Sequence, residues 1–405
     1  MNIEDKGKGI LEGLQVLDLA EEEASFCSKL LADLGAQVIK IERPGGDPSR
    51  EIGPFIEDSP NPEKSFFFFH NNTNKLGITL NLEHEDGKEI FFKLLQKTDV
   101  VVESFPPDYL RQKGLGFDVL SRVNLKLIHV SVTGFGESGP RSQYKSCDLV
   151  ASAFGGQMYV TGPPSTPPLK PFGEQSYYTA SLFAAVSILL ALRKRAQTGR
   201  GEHIDISLQE AALSALDHVM VRYFHEKTIA KRQGGVYWNH SFCILPCKDG
   251  DVLLAPFQQW DAMIEWMDSE GMAEDLKDEK YREEEYRASG INHILEILER
   301  WTKSHTVQEL FESSQLMRFP WAPITSLKEV LNNPQLKARG FFIDVEHPEL
   351  KRSISYPGSP YKFSNSSTGR WRRAPLVGED NVRIYQGELG LSKEEYERFL
   401  SLGVI

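Results

Sequence analysis

The residues with the clearest chemical potential lie where a short loop leads into a long apolar segment. This stretch, FGEQSYYTASLFAAVSILLALRKR, covers residues 172–195 and carries Tyr177 and Tyr178 just before the apolar run. Glu174 is the nearest acid in the sequence. Carboxylates and phenols both serve in covalent and proton-transfer catalysis, but a phenol with a pKa of about 10 is almost fully protonated at neutral pH. The junction is therefore a candidate active site in which the role of a tyrosine must be explained.

Short apolar strands alternate with amphipathic helices on both sides of this junction. LQVLDLA and VIKIE flank the helical SFCSKLLADLGAQ, and the strands GITLNL, DVVVESF and LKLIHVSVTGFG follow. Strands that are short, rich in Val, Ile and Leu, and separated by helices indicate a parallel sheet. The apolar run predicts a further helix over 179–195. The phosphate-binding pattern G-x-G-x-x-G is missing after the first strand, where EEEAS stands instead, so a standard dinucleotide-binding fold is unsupported.

The pattern changes between residues 225 and 330, which contain one hairpin-like strand and several charged helical segments. We expect this range to form a smaller domain. Residues 1–224 form the first part of a large domain, and 331–405 return to strands and Pro/Gly turns. The charged run EDLKDEKYREEEYRASG is best explained as a solvated helical face.

Composition excludes several classes of protein. The chain has 405 residues, of which 40% are hydrophobic and 25% charged, as in globular proteins of two or three domains. A net charge of −11 disfavours binding to nucleic acid or to a membrane surface. The N-terminal residues lack an export pattern, and Leu182–Leu192 is shorter than the roughly 20 residues of a membrane span. The four scattered cysteines form no metal pattern, so we expect a soluble cytoplasmic protein without a metal.

Six motifs, in order along the chain, resemble the class III CoA-transferase family, which also contains alpha-methylacyl-CoA racemases. They are LLADLGAQVIKIERPGGDPSR, NNTNKLGITLNL, DVVVESFPPDYLRQKGLGFDVL, LIHVSVTGFGESGP, KRAQTGRGEHIDISLQEA and NPQLKARGFF. The similarity runs from about Leu11 to the C-terminal LGVI. The resemblance implies a large Rossmann-like α/β domain formed by both chain ends, a smaller α+β domain and an interlocked dimer. It also implies coenzyme A, as an acyl-CoA, bound to the large domain.

The resemblance also assigns residues to the coenzyme. The family positions near CoA correspond here to Arg43, Asn74, Lys75, Ser104, Phe105, Arg111 and Lys145. Cations suit the pyrophosphate and 3′-phosphate of CoA, Arg as a fork and Lys as a point charge. Taken singly, each cation could equally be an ordinary surface residue, so the assignment depends on family position.

The family's reactive residue is missing. In the family's transferases an aspartate at the head of the apolar helix attacks the thioester and holds anhydride and thioester intermediates. Alignment of this helix without gaps places Tyr177 at that position. An aryl ester would pass its acyl group to a carboxylate far less readily than an anhydride. Glu174 lies three residues earlier, which in an extended chain displaces its carboxylate by about 10 Å, beyond the attack distance of about 3 Å. A rearranged loop could shorten this distance, so Glu174 stays an alternative.

Other positions near the predicted site depart as well. The acids Glu21–Glu23 follow the first strand, where they would repel a carboxylate substrate, and Ser104 replaces the asparagine of an ENF motif. Pro106 stands where relatives commonly carry arginine. The racemase branch uses a His-Asp pair, but the matching segment here is Cys147-Asp148, which leaves Asp148 as a further candidate. The remaining candidates for acid–base chemistry, which lack motif support and are interpreted as structural, are His70, His218 and His240.

Heteromeric members of the family offer an explanation for these departures. In the transferase that acts on benzylsuccinate in anaerobic toluene degradation, one chain carries the aspartate and a related chain lacks it. The resemblance therefore implies a subunit without the catalytic aspartate, paired as a heterodimer or heterotetramer with a related chain that carries it. The alternatives are an active homodimeric CoA-transferase that uses Glu174, an acyl-CoA racemase-like enzyme that uses Asp148, and a CoA-binding or scaffold protein.

Overall fold

The structure is a computed structural model that describes residues 9–234, 236–237, 242–366, 368 and 371–405. His240 lies outside the described residues. The chain divides into two compact units. The first comprises residues up to Met158, Lys170–Ile229 and Ala338–Ile405, and the second comprises Tyr159–Leu169 and Ala230–Lys337.

A parallel sheet forms the centre of the first unit, which confirms the predicted α/β class. Its strands, in chain order, are β1 (Gln15–Leu19), β2 (Gln37–Glu42), β3 (Leu76–Thr79), β4 (Val100–Glu103), β5 (Ile128–Thr133) and β6 (His203–Ser207). Their spatial order is β3-β2-β1-β4-β5-β6, and every neighbouring pair is parallel. The strands are short and apolar because both faces of the sheet are covered.

Helices surround this sheet and build most of the second unit. In chain order they are α1 (Ser25–Asp33), α2 (Phe66–Asn71), α3 (Glu85–Leu95), α4 (Tyr109–Gln112), α5 (Phe117–Val123), α6 (Asp148–Phe154), α7 (Gln157–Val160), α8 (Gln175–Thr198), α9 (Leu208–Ser214), α10 (Val219–Glu226), α11 (Trp260–Ser269), α12 (Glu284–Ser289), α13 (Ile291–Thr302), α14 (Val307–Leu316), α15 (Leu327–Asn332), α16 (Pro334–Ala338) and α17 (Lys393–Ser401). A π-helical segment covers Val382–Glu388, and 3₁₀ turns cover Pro48–Glu51, Ile56–Asp58, Glu274–Lys277, Glu279–Arg282 and Pro348–Leu350.

Two apolar layers enclose the sheet. Alternate side chains of a strand point to opposite faces, so Leu17 and Val101 join the layer of α3 and the C-terminal residues. Val16 and Val102 join the layer of α1 and α8, which also contains Tyr177. The candidate active-site tyrosine is therefore part of the hydrophobic core of the first unit.

The C-terminal segment completes the first unit, as the resemblance predicts for a domain built from both chain ends. The side chains of Asp380 and Asn381 accept the backbone N–H groups of Gly77 and Thr79, both at 2.9 Å. Asn81 N–H donates to the carbonyl of Val404 at 2.8 Å. These bonds fasten the chain end along β3 and the turn that follows it.

The second unit has its own sheet and core. An antiparallel sheet of order β10-β9-β8-β7 is formed by β7 (Val236–Tyr237), β8 (Phe242–Pro246), β9 (Asp251–Leu254) and β10 (Ala322–Pro323). Its core includes the buried indoles of Trp301 and Trp321. In the first unit, a separate hairpin consists of β11 (Phe342–His347) and β12 (Arg352–Pro357).

Helix α8 is longer than the sequence pattern predicts. It begins at Gln175 and ends at Thr198, so Tyr177 lies in its first turn and not ahead of it. It is long and apolar enough to cross a membrane by length and composition alone. One face, however, buries Ala180, Ala184 and Ile188 against α1, α9 and β5. The other face exposes apolar side chains, namely Leu182, Phe183, Val186, Leu189 and Leu190.

Candidate active site

Asp148 fixes the beginning of α8 and thereby the position of Tyr177. It is the first residue of α6 and is 5% exposed. Its Oδ1 accepts the backbone N–H of Ser176 at 2.8 Å, and its Oδ2 accepts from Lys170 Nζ. Lys170 also donates to the carbonyl of Gly173 at 2.6 Å. Because a free N–H of the first helical turn gains a carboxylate partner, α8 starts a turn earlier than its apolar run.

Tyr177 is a buried phenol. Its side chain is 4% exposed, and its Oη donates to Glu22 Oε1 at 3.5 Å, the limit of a hydrogen bond. Burial raises the pKa of Tyr177 above its usual value, and the nearby carboxyls of Glu23 and Glu22 raise it further. The hydroxyl is thus a neutral hydrogen-bond donor at physiological pH.

The acidic loop Glu21–Glu23 joins this tyrosine to the end of β4. Ser104 Oγ accepts the backbone N–H of Glu21 at 2.9 Å and donates to Glu23 Oε2 at 3.2 Å. Burial raises the pKa of Glu23 to about 7 and also raises the pKa values of Glu21 and Glu22. The loop therefore carries less negative charge near neutral pH than three exposed acids would.

Glu174 lies closer to Tyr177 than an extended chain would place it. It is the N-cap residue of α8, and its carbonyl accepts the N–H of Tyr178 at 3.1 Å. Residues three apart on a helix have Cβ atoms about 5–6 Å from each other, so the extended-chain separation of about 10 Å does not apply. The pKa of Glu174 is raised, first by burial and then by Glu22 and Asp148.

An aromatic cluster packs on the other side of the helix start. The ring of Tyr178 meets the ring of Phe26 edge-on with centroids 4.8 Å apart, and Phe26 stacks on His70 at 6.1 Å. Burial lowers the pKa of His70 to about 4, so the imidazole is neutral. Tyr177 and Tyr178 thus face a carboxyl group and an aromatic cluster, respectively.

Two cavities lie beside the end of β4. A cavity of about 480 Å³ is lined by Arg43, Leu80, Phe105 and Tyr109. Arg43 is exposed, with its Nε 3.3 Å from the carbonyl of Gly46. A second cavity of about 760 Å³ is also lined by Tyr109 and includes Arg111, which pairs with Asp108. A guanidinium such as that of Arg43 suits a phosphate group, but the smaller cavity is also lined by acids, namely Glu21, Glu42, Asp47 and Glu83.

The other residues implied for CoA lie elsewhere. Lys75 is fully buried, with its Nζ 2.7 Å from Asp18 Oδ2, and burial lowers its pKa to about 8. Asn74 has a φ of +67° and donates to Asp33 Oδ1 at 2.6 Å. The contacts of both residues hold the segment just before β3 in place. Lys145, in contrast, is exposed. Contact of Asn74, Lys75 and Lys145 with CoA stays a prediction.

Glu22, one of the three acids that the sequence indicated, accepts from the Tyr177 hydroxyl. A further acid, Glu103, was not indicated: it is 4% exposed at the end of β4 and lines the larger cavity. An acid at the end of a buried apolar strand is unusual and could have marked Glu103. Across the described residues, no group of three or more His, Cys, Asp or Glu side chains is arranged to hold a metal ion.

Comparison with known proteins shows the family. The profile of CoA-transferase family III matches residues 11–381. The chain is 33% identical to succinyl-CoA:(R)-benzylsuccinate CoA-transferase subunit BbsE of Thauera aromatica, over 96% of this chain and 97% of that protein. It is 32% identical to formyl-CoA:oxalate CoA-transferase of Streptomyces coelicolor, over 98% and 99%.

A solved structure supports the same conclusion. A CAIB/BAIF family protein from Brucella suis superposes with a TM-score of 0.84 at 30% identity, covering 94% of this chain and 99% of that one. Sequence and fold agree over almost the whole length. The chain belongs to CoA-transferase family III, whose members use acyl-CoA substrates.

Proposed function

We propose that this chain is the subunit without a catalytic aspartate in a heteromeric class III CoA-transferase. The enzyme would move CoA between an acyl-CoA, such as succinyl-CoA, and a carboxylic acid, such as benzylsuccinate. The observation that carries the proposal is the buried Tyr177 in the first turn of α8, where the family resemblance implies an aspartate. A relative named as a subunit of a benzylsuccinate CoA-transferase, 33% identical, supports the assignment.

The chemistry of the phenol supports a non-catalytic role. An attacking carboxylate is ionised at neutral pH and forms an anhydride, which is a reactive acyl donor. Burial and two nearby carboxyl groups raise the pKa of Tyr177, so its hydroxyl keeps its proton. If it were acylated, the aryl ester would be a poorer acyl donor than an anhydride.

The proposed partner is a related chain with an aspartate at the position of Tyr177. This subunit would complete the assembly and shape the partner's active site, and it would bind CoA at Arg43 and Phe105. The exposed apolar face of α8 supports association with another chain. The proposed complex is cytoplasmic and needs no metal.

A second candidate is an active CoA-transferase that uses Glu174. The observation in its favour is that Glu174 is the N-cap residue of α8, three residues from Tyr177, so it lies nearer the family's reactive position than an extended chain would place it. Its pKa is raised by burial and by the neighbouring carboxyl groups. Glu22 and Asp148 would also repel a carboxylate substrate that approached Glu174, which favours the first proposal.

The proton-transfer alternative depends on Asp148. Both of its oxygens are engaged, one with the Ser176 N–H and the other with Lys170. A carboxylate with these two partners is suited to hold the head of α8. If this chain alone catalysed deuterium uptake at the carbon next to an acyl-CoA thioester, Asp148 would be a base and the subunit proposal would be wrong.

Reconstitution of the enzyme tests the proposal. The chain would be produced alone and together with a related chain, encoded nearby, that carries aspartate at the position of Tyr177. We expect the two to co-purify and to transfer CoA from succinyl-CoA only together. Full turnover by this chain alone, or failure to associate with any aspartate-bearing relative, would contradict the proposal.

A further inference from the structure

Glu103 is a buried acid whose role the family assignment does not explain. It is the last residue of β4 and lies beside the cavity of about 760 Å³. Its Oε2 accepts the backbone N–H of Phe105 at 2.7 Å. Phe105 lines the other cavity, of about 480 Å³, and its ring lies 4.8 Å from that of Tyr109. Glu103 therefore controls the backbone that carries one wall of the smaller cavity.

The surroundings of Glu103 contain imidazoles and acids. On β5, His129 Nε2 lies 4.0 Å from Glu103 Oε1, and among the described residues neither ring nitrogen of this buried histidine has a hydrogen-bond partner. On β6, His203 lies 2.9 Å from Ser131 Oγ, and its ring centroid is 5.1 Å from that of His129. The acids that line the same cavity include Glu137 and Asp205.

These neighbours favour an uncharged Glu103. Within the described part of the chain, no lysine or arginine pairs with this carboxyl group. Burial, helped by the charges of Glu137 and Asp205, raises the pKa of Glu103 to about 8, although hydrogen bonds from Ser131 and the Phe105 N–H act in the opposite direction. Burial likewise lowers the pKa of His129 to about 3. An uncharged carboxyl group still accepts a hydrogen bond through its carbonyl oxygen.

We propose that Glu103 is a positioning residue for CoA: its carboxyl group holds the Phe105 turn, and the turn sets the shape of the nucleotide cavity. The inference rests on the proposed CoA binding by this chain. Ser104, between the two residues, is already bonded to Glu21 and Glu23. The Phe105 N–H thus depends on Glu103 as its acceptor. Loss of that acceptor would let the backbone of Phe105 move, and the Phe105 ring would no longer be held in the cavity wall.

Two substitutions of similar length separate positioning from general packing. Glu103→Gln keeps an uncharged carbonyl acceptor, whereas Glu103→Met keeps the unbranched shape and removes the acceptor. Glu137→Gln is the matched control, because Glu137 lines the same cavity without touching the Phe105 turn. CoA affinity would be measured by calorimetry on the full-length chain, and hydrogen–deuterium exchange would follow residues 103–110.

The expected results differ between the variants. Glu103→Gln and Glu137→Gln should bind CoA within about twofold of the wild type, with exchange unchanged. Glu103→Met should bind about tenfold more weakly and exchange faster over residues 103–110, because one hydrogen bond to a backbone donor is lost. Melting temperatures would establish whether each variant is folded.

Three outcomes would overturn the inference. One is a folded Glu103→Met chain with unchanged exchange and CoA affinity. Another is a Glu103→Gln chain that loses protection over residues 103–110, and this result decides the question even if Glu103→Met does not fold. If the wild type binds no CoA, CoA binding by this subunit is refuted, while the exchange readout still decides whether Glu103 holds the turn.

Discussion

The head of α8 and the end of β4 lie beside each other, yet they differ in the side chains that they present. At the head of α8 the reactive position holds a buried, protonated phenol with Glu22 at its hydroxyl. At the end of β4, Arg43 and Phe105 line the cavity of about 480 Å³ in which we propose that CoA binds. Tyr177 does not line this cavity, so under the proposal one region can change while the other keeps its form.

The hydrogen bonds of Ser104 connect the two regions. This side chain bonds to Glu21 and Glu23 in the loop that also carries Glu22. A substitution near one region can therefore change the structure of the other. Substitutions can thus separate residues that hold the scaffold from residues that define the two regions.

The largest expected effect is on stability, from Lys75→Met. The change leaves Asp18 buried without its cation, and breaking a buried ion pair in this way costs about 3–5 kcal/mol. Urea unfolding would measure the loss. Lys145→Met is the matched control, because Lys145 is exposed and its loss should leave stability near the wild type. A Lys75→Met chain of normal stability but weakened CoA affinity would assign Lys75 to the coenzyme cavity instead.

A smaller loss of stability is expected from Asp148→Ala. The first turn of α8 loses the carboxylate that accepts the Ser176 N–H, and Lys170 loses its partner. Loss of a helix-capping side chain costs about 1–2 kcal/mol. Asp148→Asn keeps one acceptor oxygen and should lose about half as much, again by urea unfolding. Equal losses for both variants would show that charge, and not the bond to Ser176, holds the helix.

The pH dependence of stability should report the acidic loop. Burial raises the pKa of Glu23 from 4.5 unfolded to about 7 folded. The folded state therefore binds the proton more tightly than the unfolded state. The stability that this proton contributes is fully present below pH 4.5 and is lost as the pH rises through about 7. Glu23→Gln removes this titration, so its free energy of unfolding should rise relative to that of the wild type as the pH increases from 5 to 8. Parallel pH profiles of the two proteins would contradict the assignment.

The smallest change in activity is expected from substitutions of Tyr177. Tyr177→Phe removes only a long hydrogen bond to Glu22, so transfer by the complete complex should stay within about twofold. Tyr177→Asp should not give this chain activity on its own, because Ser104, Pro106 and the acidic loop remain. A steady-state CoA-transfer assay measures both. Full activity from Tyr177→Asp alone would show that the phenol is the only defect.

The fold was predictable from the sequence because its signals are local. The run Val100-Val101-Val102 is short, apolar and β-branched, which is what a strand covered on both faces requires. The start of α8 was not predictable in the same way. The apolar run indicates a helix from residue 179, but the helix starts at Gln175, where Ser176 donates to the carboxylate of Asp148, 28 residues earlier.

The surroundings of the candidate site were not predictable from the sequence. Alignment of the apolar helix assigns Tyr177 to the position of the family's aspartate, because a helix preserves spacing along the chain, and this assignment stays a prediction. The contact with Glu22 joins residues 155 positions apart, and Lys75 turns inward to Asp18, 57 positions away. Neither contact has a signal in local sequence, because both depend on how the loops after β1 and before β3 fold against the sheet.

Covalent labelling tests the central claim most directly. The purified chain, alone and with its aspartate-bearing relative, would be incubated with succinyl-CoA, and both chains would be digested and mapped by mass spectrometry for acyl or CoA adducts. The account predicts adducts on the aspartate of the relative and none on this chain. An adduct on Glu174, Glu22 or Tyr177, together with turnover by this chain alone, would contradict it.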